Sequence, residues 1–156
     1  MSSAIADFDG DGIGDLLLNR SDPNSESLMF LSRGVADLKK REPSNLPVGR
    51  FGLKNTKHNH VATADIDGDG DQDIVLGQTR ADPHYAGREL QALINDGNGY
   101  FSDETDARLG NQRLYSEGAS FNHGEGYVYV LDVNGDGSVC IFDQRGVRSQ
   151  NRSTPP

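Results

Sequence analysis

The sequence predicts an all-β protein built from repeated units of antiparallel strands. Three acidic stretches, which begin at Asp7, Asp65 and Asp132, each lie between two short apolar runs. Their spacing of about 60 residues is typical of solenoids and propellers, in which each repeat is one small group of strands. The chain also contains 19 glycines in 156 residues. That share is well above the ordinary usage of about 7% and indicates many turns.

The apolar runs around the acidic stretches have the length and alternation of strands. They cover residues 3–7 and 16–18, 60–65 and 74–76, and 127–132 and 139–142. A further strand is predicted over residues 27–32, and a hairpin over residues 89–102, around the turn Asn95-Asp-Gly-Asn-Gly99. We expect a long loop over residues 33–57, in which segment 36–42 is too short to predict as a helix. The tail after Gly146 is expected to fray.

Length and composition exclude several classes of protein. The chain is long enough for one domain with a real core. Its 15 basic and 24 acidic residues give a net charge of -9, which argues against a nucleic-acid-binding face. One cysteine rules out a disulfide framework within the chain. No apolar run is long enough for a membrane span, and no signal peptide is visible.

The acidity is local. The three acidic stretches hold 11 of the 24 acidic residues, so the rest of the chain is close to neutral. Such crowding is costly without a counter-ion. Aspartates at positions 1, 3 and 5 of a tight turn point to one centre, and glycines at positions 4 and 6 allow the positive φ angles that the turn needs. With a carbonyl at position 7 and an acid at position 9, the cage is all oxygen, which suits Ca²⁺ better than Mg²⁺ or Zn²⁺.

The loops differ from EF-hands. An EF-hand needs a bidentate Glu at position 12 and two flanking helices, whereas position 12 is Leu18 or Leu76 in the first two loops and the flanks are strand-like. The third loop has Cys140 at position 9 and Asp143 at position 12. Because a thiol is a poor ligand for a hard cation, we expect this loop to bind weakly or not at all.

The pattern Asp-x-Asp-Gly-Asp-Gly-x-x-Asp between two strands resembles the calcium loop of FG-GAP and VCBS-type β-propeller repeats, which also build integrin α-chain heads. Residues 93–102, Leu-Ile-Asn-Asp-Gly-Asn-Gly-Tyr-Phe-Ser, resemble the hairpin late in the same repeat. The second unit resembles the repeat along most of its length and the first mainly at its loop. The third does so only at Asp132, Asn134 and Asp136.

The resemblance implies propeller blades of four antiparallel strands, with calcium in the loop that joins the first two. The implied ligands of the first two loops are Asp7, Asp9, Asp11, the carbonyl of Ile13 and Asp15, and Asp65, Asp67, Asp69, the carbonyl of Asp71 and Asp73. The corresponding positions of the third loop are Asp132, Asn134, Asp136 and Ser138.

The predicted units are repeat 1 over residues 1–57, repeat 2 over 58–110, a partial repeat 3 over 111–146 and the tail 147–156. These supply about two and a half blades, whereas propellers usually have about 4–8. We therefore expect a fragment of a longer propeller, a ring of several copies or an open array of repeats.

The predicted function is an extracellular or cell-surface interaction and adhesion module with structural calcium and no enzyme activity. No catalytic motif is present in the sequence. The expected partner is a protein or a glycan, bound by loops such as 33–57 and 103–126. The alternatives are a lectin-like glycan-binding propeller, the non-catalytic propeller part of a larger secreted enzyme, and isolated EF-hand-like sensors. Tyr85, Tyr115 and Tyr127 could line a sugar site, although packing is the simpler role.

Overall fold

The computed structural model describes residues 2–20, 22–23, 27–34, 37–40, 46–110, 114–115, 127–143 and 146–150. The all-β prediction is confirmed, because this part of the chain forms three antiparallel sheets in sequence order and one five-residue helix. Their arrangement is that of successive propeller-like blades.

Sheet 1 contains the first four strands in the order β1-β2-β3-β4. Their bounds are Ser2–Ala6 for β1, Asp15–Asn19 for β2, Leu28–Ser32 for β3 and Leu38–Lys40 for β4. Sheet 2 has the order β5-β6-β7-β8, and β9 pairs with β7. Its bounds are Thr56–Ala64 for β5, Asp73–Arg80 for β6, Gly87–Asn95 for β7, Phe101–Asp103 for β8 and Leu114–Tyr115 for β9.

Sheet 3 has the order β10-β11-β12. Its strands are Val128–Leu131 for β10, Cys140–Asp143 for β11 and Gly146–Gln150 for β12. Helix α1, Thr105–Leu109, follows β8. The predicted hairpin at residues 89–102 is formed by β7 and β8.

Several local predictions are wrong. The segment predicted as one long loop contains β4, with a strand at Leu38–Lys40, and β5 begins at Thr56. The tail predicted to fray from residue 147 begins inside β12. Helix α1 and strand β9 lie in the predicted loop 103–126. Residues 35–36, 41–45, 111–113, 116–126 and 151–156 of the predicted loops and tail lie outside the described part. The boundaries of the repeat units stay predictions.

The core has two layers, one on each face of sheet 2. Between sheets 1 and 2, alternate residues Ala4 and Ala6 of β1 and Leu17 of β2 pack on Ile74 and Leu76 of β6. Between sheets 2 and 3, the side chains Val75, Leu90 and Ala92 pack on Val128 and Ile141. Sheet 2 is therefore buried on both faces, and its strands β6 and β7 are buried over nearly their whole length.

Candidate metal centre

The three acidic loops join β1 to β2, β5 to β6, and β10 to β11, and they fold into the same turn. In each, the aspartate at position 1 accepts a hydrogen bond from the N–H of the glycine at position 6. The pairs are Gly12 to Asp7 Oδ2 at 2.8 Å, Gly70 to Asp65 Oδ2 at 3.0 Å and Gly137 to Asp132 Oδ2 at 2.9 Å. The position-6 glycines have positive φ, 82° at Gly12, a conformation that other residues adopt at a cost.

The aspartate at position 9 ties the first two loops to their sheets. Asp15 is fully buried. Its Oδ2 accepts the N–H of Phe8 at 2.9 Å, and its Oδ1 accepts the N–H of Ser32 at 2.8 Å. This carboxylate therefore bonds the loop backbone to strand β3.

Asp73 repeats this arrangement in the second loop and is also fully buried. Its two oxygens accept the N–H of Ile66 at 2.7 Å and of Asn95 at 2.8 Å. Asn95 connects the two loops as well, because its Nδ2 donates to the carbonyls of Phe8 at 2.9 Å and Gln72 at 3.1 Å.

Three carboxylates converge in each of the first two loops. One oxygen from each of Asp7, Asp9 and Asp15 lies within 4.8 Å of the others, and the second set is Asp65, Asp67 and Asp73. The predicted ligands Asp11 and Asp69 lie outside these clusters. Their Oδ1 atoms accept the N–H groups of Ile13 and Asp71, each at 2.9 Å. The two clusters could hold a metal ion.

The first cluster contains two buried oxygens with no hydrogen-bond partner, Asp7 Oδ1 and Asp9 Oδ1. The Asp9 side chain is only 9% exposed. An unpartnered buried carboxylate oxygen is costly, and a cation beside Asp7, Asp9 and Asp15 would remove that cost. The residues present therefore fit a hard cation.

Burial and mutual repulsion act on the position-9 carboxylates. Burial raises the pKa of Asp73 to about 6, helped by the charges of Asp67 and Asp69 and opposed by the hydrogen bonds from Asn95 and Ile66. Burial also raises the pKa of Asp15, and Asp9 and Asp11 add to the shift, while bonds from Ser32 and Phe8 oppose it. A bound cation would favour the ionised form of both groups.

Two arginines that the sequence analysis missed contact the clusters. Arg33 Nη1 donates to Asp9 Oδ2 at 2.7 Å and to Asp11 Oδ2 at 3.0 Å. Arg108 Nη2 lies 3.4 Å from Asp67 Oδ2. Because both arginines are distant in sequence from the carboxylates that they contact, no local motif could have identified them.

The third loop keeps the turn and lacks the cluster. Asp132, Asn134 and Asp136 are exposed, and Asn134 Nδ2 donates to Asp136 Oδ2 at 2.8 Å. Asp136 Oδ1 accepts the N–H of Ser138 at 2.8 Å, as Asp11 does with Ile13. Position 9 is Cys140, so no buried carboxylate closes this loop.

The fold and the loops define a repeat protein of antiparallel, propeller-like blades. Residues 7–76 match the family model of the FG-GAP-like repeat, so this part of the chain is of the FG-GAP type and the predicted resemblance to FG-GAP repeats is confirmed. The match begins at the first aspartate of the first acidic loop and includes all of the second loop.

No curated protein matches the chain. Among solved structures, a lectin of Agrocybe aegerita that recognises non-reducing terminal N-acetylglucosamine is similar, with a TM-score of 0.48 and 20% identity. The similarity covers 90% of this chain and 32% of the lectin, so the chain spans about a third of that protein's length. No helix in the described ranges is long and apolar enough to cross a membrane.

Proposed function

We propose that the chain is a calcium-binding segment of FG-GAP-type blades that serves as an extracellular interaction module, with the ion in a structural role. The observation that carries the proposal is the pair of unpartnered buried oxygens on Asp7 and Asp9 beside the fully buried Asp15. These three carboxylates would hold the ion of the first loop, and Asp65, Asp67 and Asp73 that of the second.

The donor set favours calcium. All the converging side chains are carboxylates, which suit hard cations and offer nothing to a metal that prefers sulfur or imidazole. Calcium tolerates irregular shells of about six to eight oxygens, whereas Mg²⁺ requires near-ideal octahedral geometry. Backbone carbonyls, such as those of Ile13 and Asp71, would complete the shell.

The hydrogen bonds support a structural role for the ion. Asp15 and Asp73 already use both oxygens to bond backbone N–H groups of neighbouring segments. An ion that neutralises each cluster would therefore stabilise the junction between loop and sheet. Carboxylates committed in this way are poorly suited to proton transfer, so we assign no enzyme activity to this segment. Extracellular modules bind calcium at about 10⁻⁴–10⁻³ M, which fits a secreted or cell-surface setting.

Thermal unfolding with EDTA, calcium or magnesium tests the proposal. Calcium at about 100 times Kd should add about 2.7 kcal/mol per site if only the folded state binds it. The double variant D7N/D9N should lose the contribution of the first loop, while the matched variant D132N/D136N in the third loop should keep the full calcium response. A melting temperature that calcium does not change, or equal losses in both variants, would contradict the proposal.

Glycan binding is a second candidate, and one observation favours it. The rings of Tyr127 and Tyr129 lie 5.6 Å and 5.8 Å from that of His60, at the side of β5 that meets β10. Both tyrosines are exposed, and amphipathic aromatic rings suit the apolar faces of sugars. A glycan array tests this function. The wild type should bind a set of glycans, and the double variant Y127A/Y129A should lose that binding. An array without signal would reject it.

A further inference from the structure

The two outer sheets each have one face that carries strongly exposed apolar side chains. On sheet 3, Leu131 is 57% exposed, whereas Val128 on the opposite face of the same strand is fully buried against sheet 2. On sheet 1, Ile5 is 73% exposed, while its neighbours Ala4 and Ala6 pack into the core. We call these surfaces the sheet 3 open face and the sheet 1 open face.

The sheet 3 open face is defined by cross-strand pairs. Leu131 pairs with Cys140, and Tyr129 pairs with Phe142. Because directly paired residues point to the same side of a sheet, these four side chains share one face. The sheet 1 open face is defined by a row across three strands in which Leu16 pairs with both Ile5 and Phe30.

Repeat equivalence shows what each open face resembles. When the first aspartates of the loops are superposed in sequence, Leu16 and Leu18 take the places of Ile74 and Leu76. Ile74 and Leu76 lie on the face of sheet 2 that receives sheet 1. The sheet 1 open face therefore corresponds to the side of sheet 2 on which the preceding sheet packs.

The sheet 3 open face corresponds to the opposite side of a sheet, the one that packs on the following sheet. In the same superposition, Tyr129 takes the place of Ala62 and of Ala4. Ala4 lies in the layer between sheets 1 and 2, and Ala62 in the layer between sheets 2 and 3. Each of these residues therefore faces the next sheet along the chain, which sheet 3 does not have among the described residues.

Position 2 of the acidic loops supports this assignment independently. In the first loop, Phe8 is fully buried between sheets 1 and 2, and in the second loop Ile66 is buried between sheets 2 and 3. In the third loop this position is Val133, which is 63% exposed. An apolar residue that fills the next interface in two repeats is thus present and uncovered in the third.

We infer that the sheet 3 open face binds the sheet 1 open face of a second copy of this chain. The contact joins two different surfaces, so it is heterologous and can be repeated from copy to copy. It would continue the packing already present twice within the chain, with Leu131 and Val133 of one copy against Ile5 and Leu16 of the next. The result is a closed ring if the rotation between copies closes, and a filament otherwise.

The wild-type mass in solution is the first test. Light scattering across a dilution series should give multiples of the 16.9 kDa monomer that dissociate on dilution. A monomer at every concentration would overturn the inference, and the open faces would then be sites for further blades or other partners. This outcome is separate from the calcium response, so failure here leaves the proposed function standing.

A complementation experiment tests the head-to-tail geometry. L131K should block the sheet 3 open face and I5K the sheet 1 open face, and each variant alone should be monomeric. A mixture of the two should form a pair of twice the monomer mass, because each variant supplies the face that the other lacks. L53K is the matched control, since Leu53 is an exposed leucine in the turn before β5 and belongs to neither sheet 1 nor sheet 3, and it should assemble like the wild type.

Either variant alone forming dimers would indicate a symmetric contact and overturn the head-to-tail arrangement. A mixture that stays monomeric would overturn it as well. Circular dichroism identifies a variant that fails to fold, and Y129S then replaces L131K and L16S replaces I5K in the same experiment.

Discussion

The first and third acidic loops share a turn and differ in what holds the turn to its sheet. Asp7 and Asp132 accept the N–H of the position-6 glycine at 2.8 Å and 2.9 Å. At position 9, however, the first loop has the fully buried Asp15, whereas the third has Cys140. The first six residues of the motif are therefore sufficient to fold the turn.

The ninth residue decides whether the turn becomes a metal centre. Asp15 bonds the N–H groups of Phe8 and Ser32 and brings a buried charge to within 4.8 Å of Asp7 and Asp9 oxygens. In the third loop the aspartates remain exposed, where water solvates them. The folding of the loop and the binding of an ion therefore depend on different residues of the motif.

The largest expected effect comes from removing the position-9 carboxylate. D15A leaves the N–H groups of Phe8 and Ser32 without their partner, and a buried unsatisfied group costs about 1–3 kcal/mol. We expect a loss of about 4 kcal/mol in the free energy of unfolding, measured with urea in EDTA, where metal plays no part. The control C140A, at the same position of the third loop, should cost about 1 kcal/mol or less. Equal losses would show that the two loops are attached alike.

The next largest effect is expected at His58, near the start of β5 and so at the end of sheet 2 away from its acidic loop. It tests whether the loop and that end of the sheet act independently. His58 pairs with Gln78 across β5 and β6, and burial lowers its pKa to about 4 from 6.5. In the unfolded chain, His58 therefore binds a proton below about pH 6.5. In the folded protein it binds that proton only near pH 4. Stability is lost as the pH falls through this window, by about 3 kcal/mol in total.

Urea unfolding of the wild type and H58Q from pH 7 to pH 4 measures this contribution as the difference between the two proteins. H84Q is the control, because His84 is exposed, and it should follow the wild type. The difference should be the same in calcium and in EDTA. A difference that calcium changes would mean that the loop and the far end of the sheet are coupled.

A smaller effect should follow from giving the third loop the residue that it lacks. C140D places a carboxylate at the position of Asp15 and Asp73, so calorimetry should detect one more bound calcium per chain. The added stability at about ten times Kd is about 1.4 kcal/mol. C140N, which has a similar shape and no charge, should not gain the site. An unchanged stoichiometry in C140D would mean that position 9 alone does not make the centre.

Local chemistry explains which features were predictable. The acidic loops, their flanking strands and the hairpin of β7 and β8 follow from glycine positions, aspartate spacing and apolar alternation, all of which act over a few residues. Strand β4 was missed because its short sequence, Leu-Lys-Lys, has no apolar alternation. The contact between Arg33 and Asp9, and the bonds from Asn95 to Phe8 and Gln72, depend on how distant segments pack. The sequence shows an acid at position 9, but only the fold shows that it is buried.

The smallest effect concerns Arg33, which contacts the first loop. Arg33 contacts Asp9 and Asp11 and is substantially exposed, so its charge acts through water on a bound cation. A unit charge and the double charge of calcium about 5 Å apart in water repel by about 1.7 kcal/mol, and screening at physiological salt roughly halves that repulsion. R33Q should therefore raise the calcium affinity of the first loop by about fourfold at physiological salt. Calorimetry on a D67A/D69A background, in which the second loop is disabled, measures this loop alone.

R33K is the matched control, because it keeps the charge and should keep the wild-type affinity. The gain in R33Q should also shrink as salt is added, since an exposed charge is screened. A fall in affinity in R33Q would instead mean that Arg33 holds Asp9 in position, so that its Oδ1 faces the ion. In that case the first metal centre would depend on Ser32 at the end of strand β3 and also on Arg33, the residue that follows it.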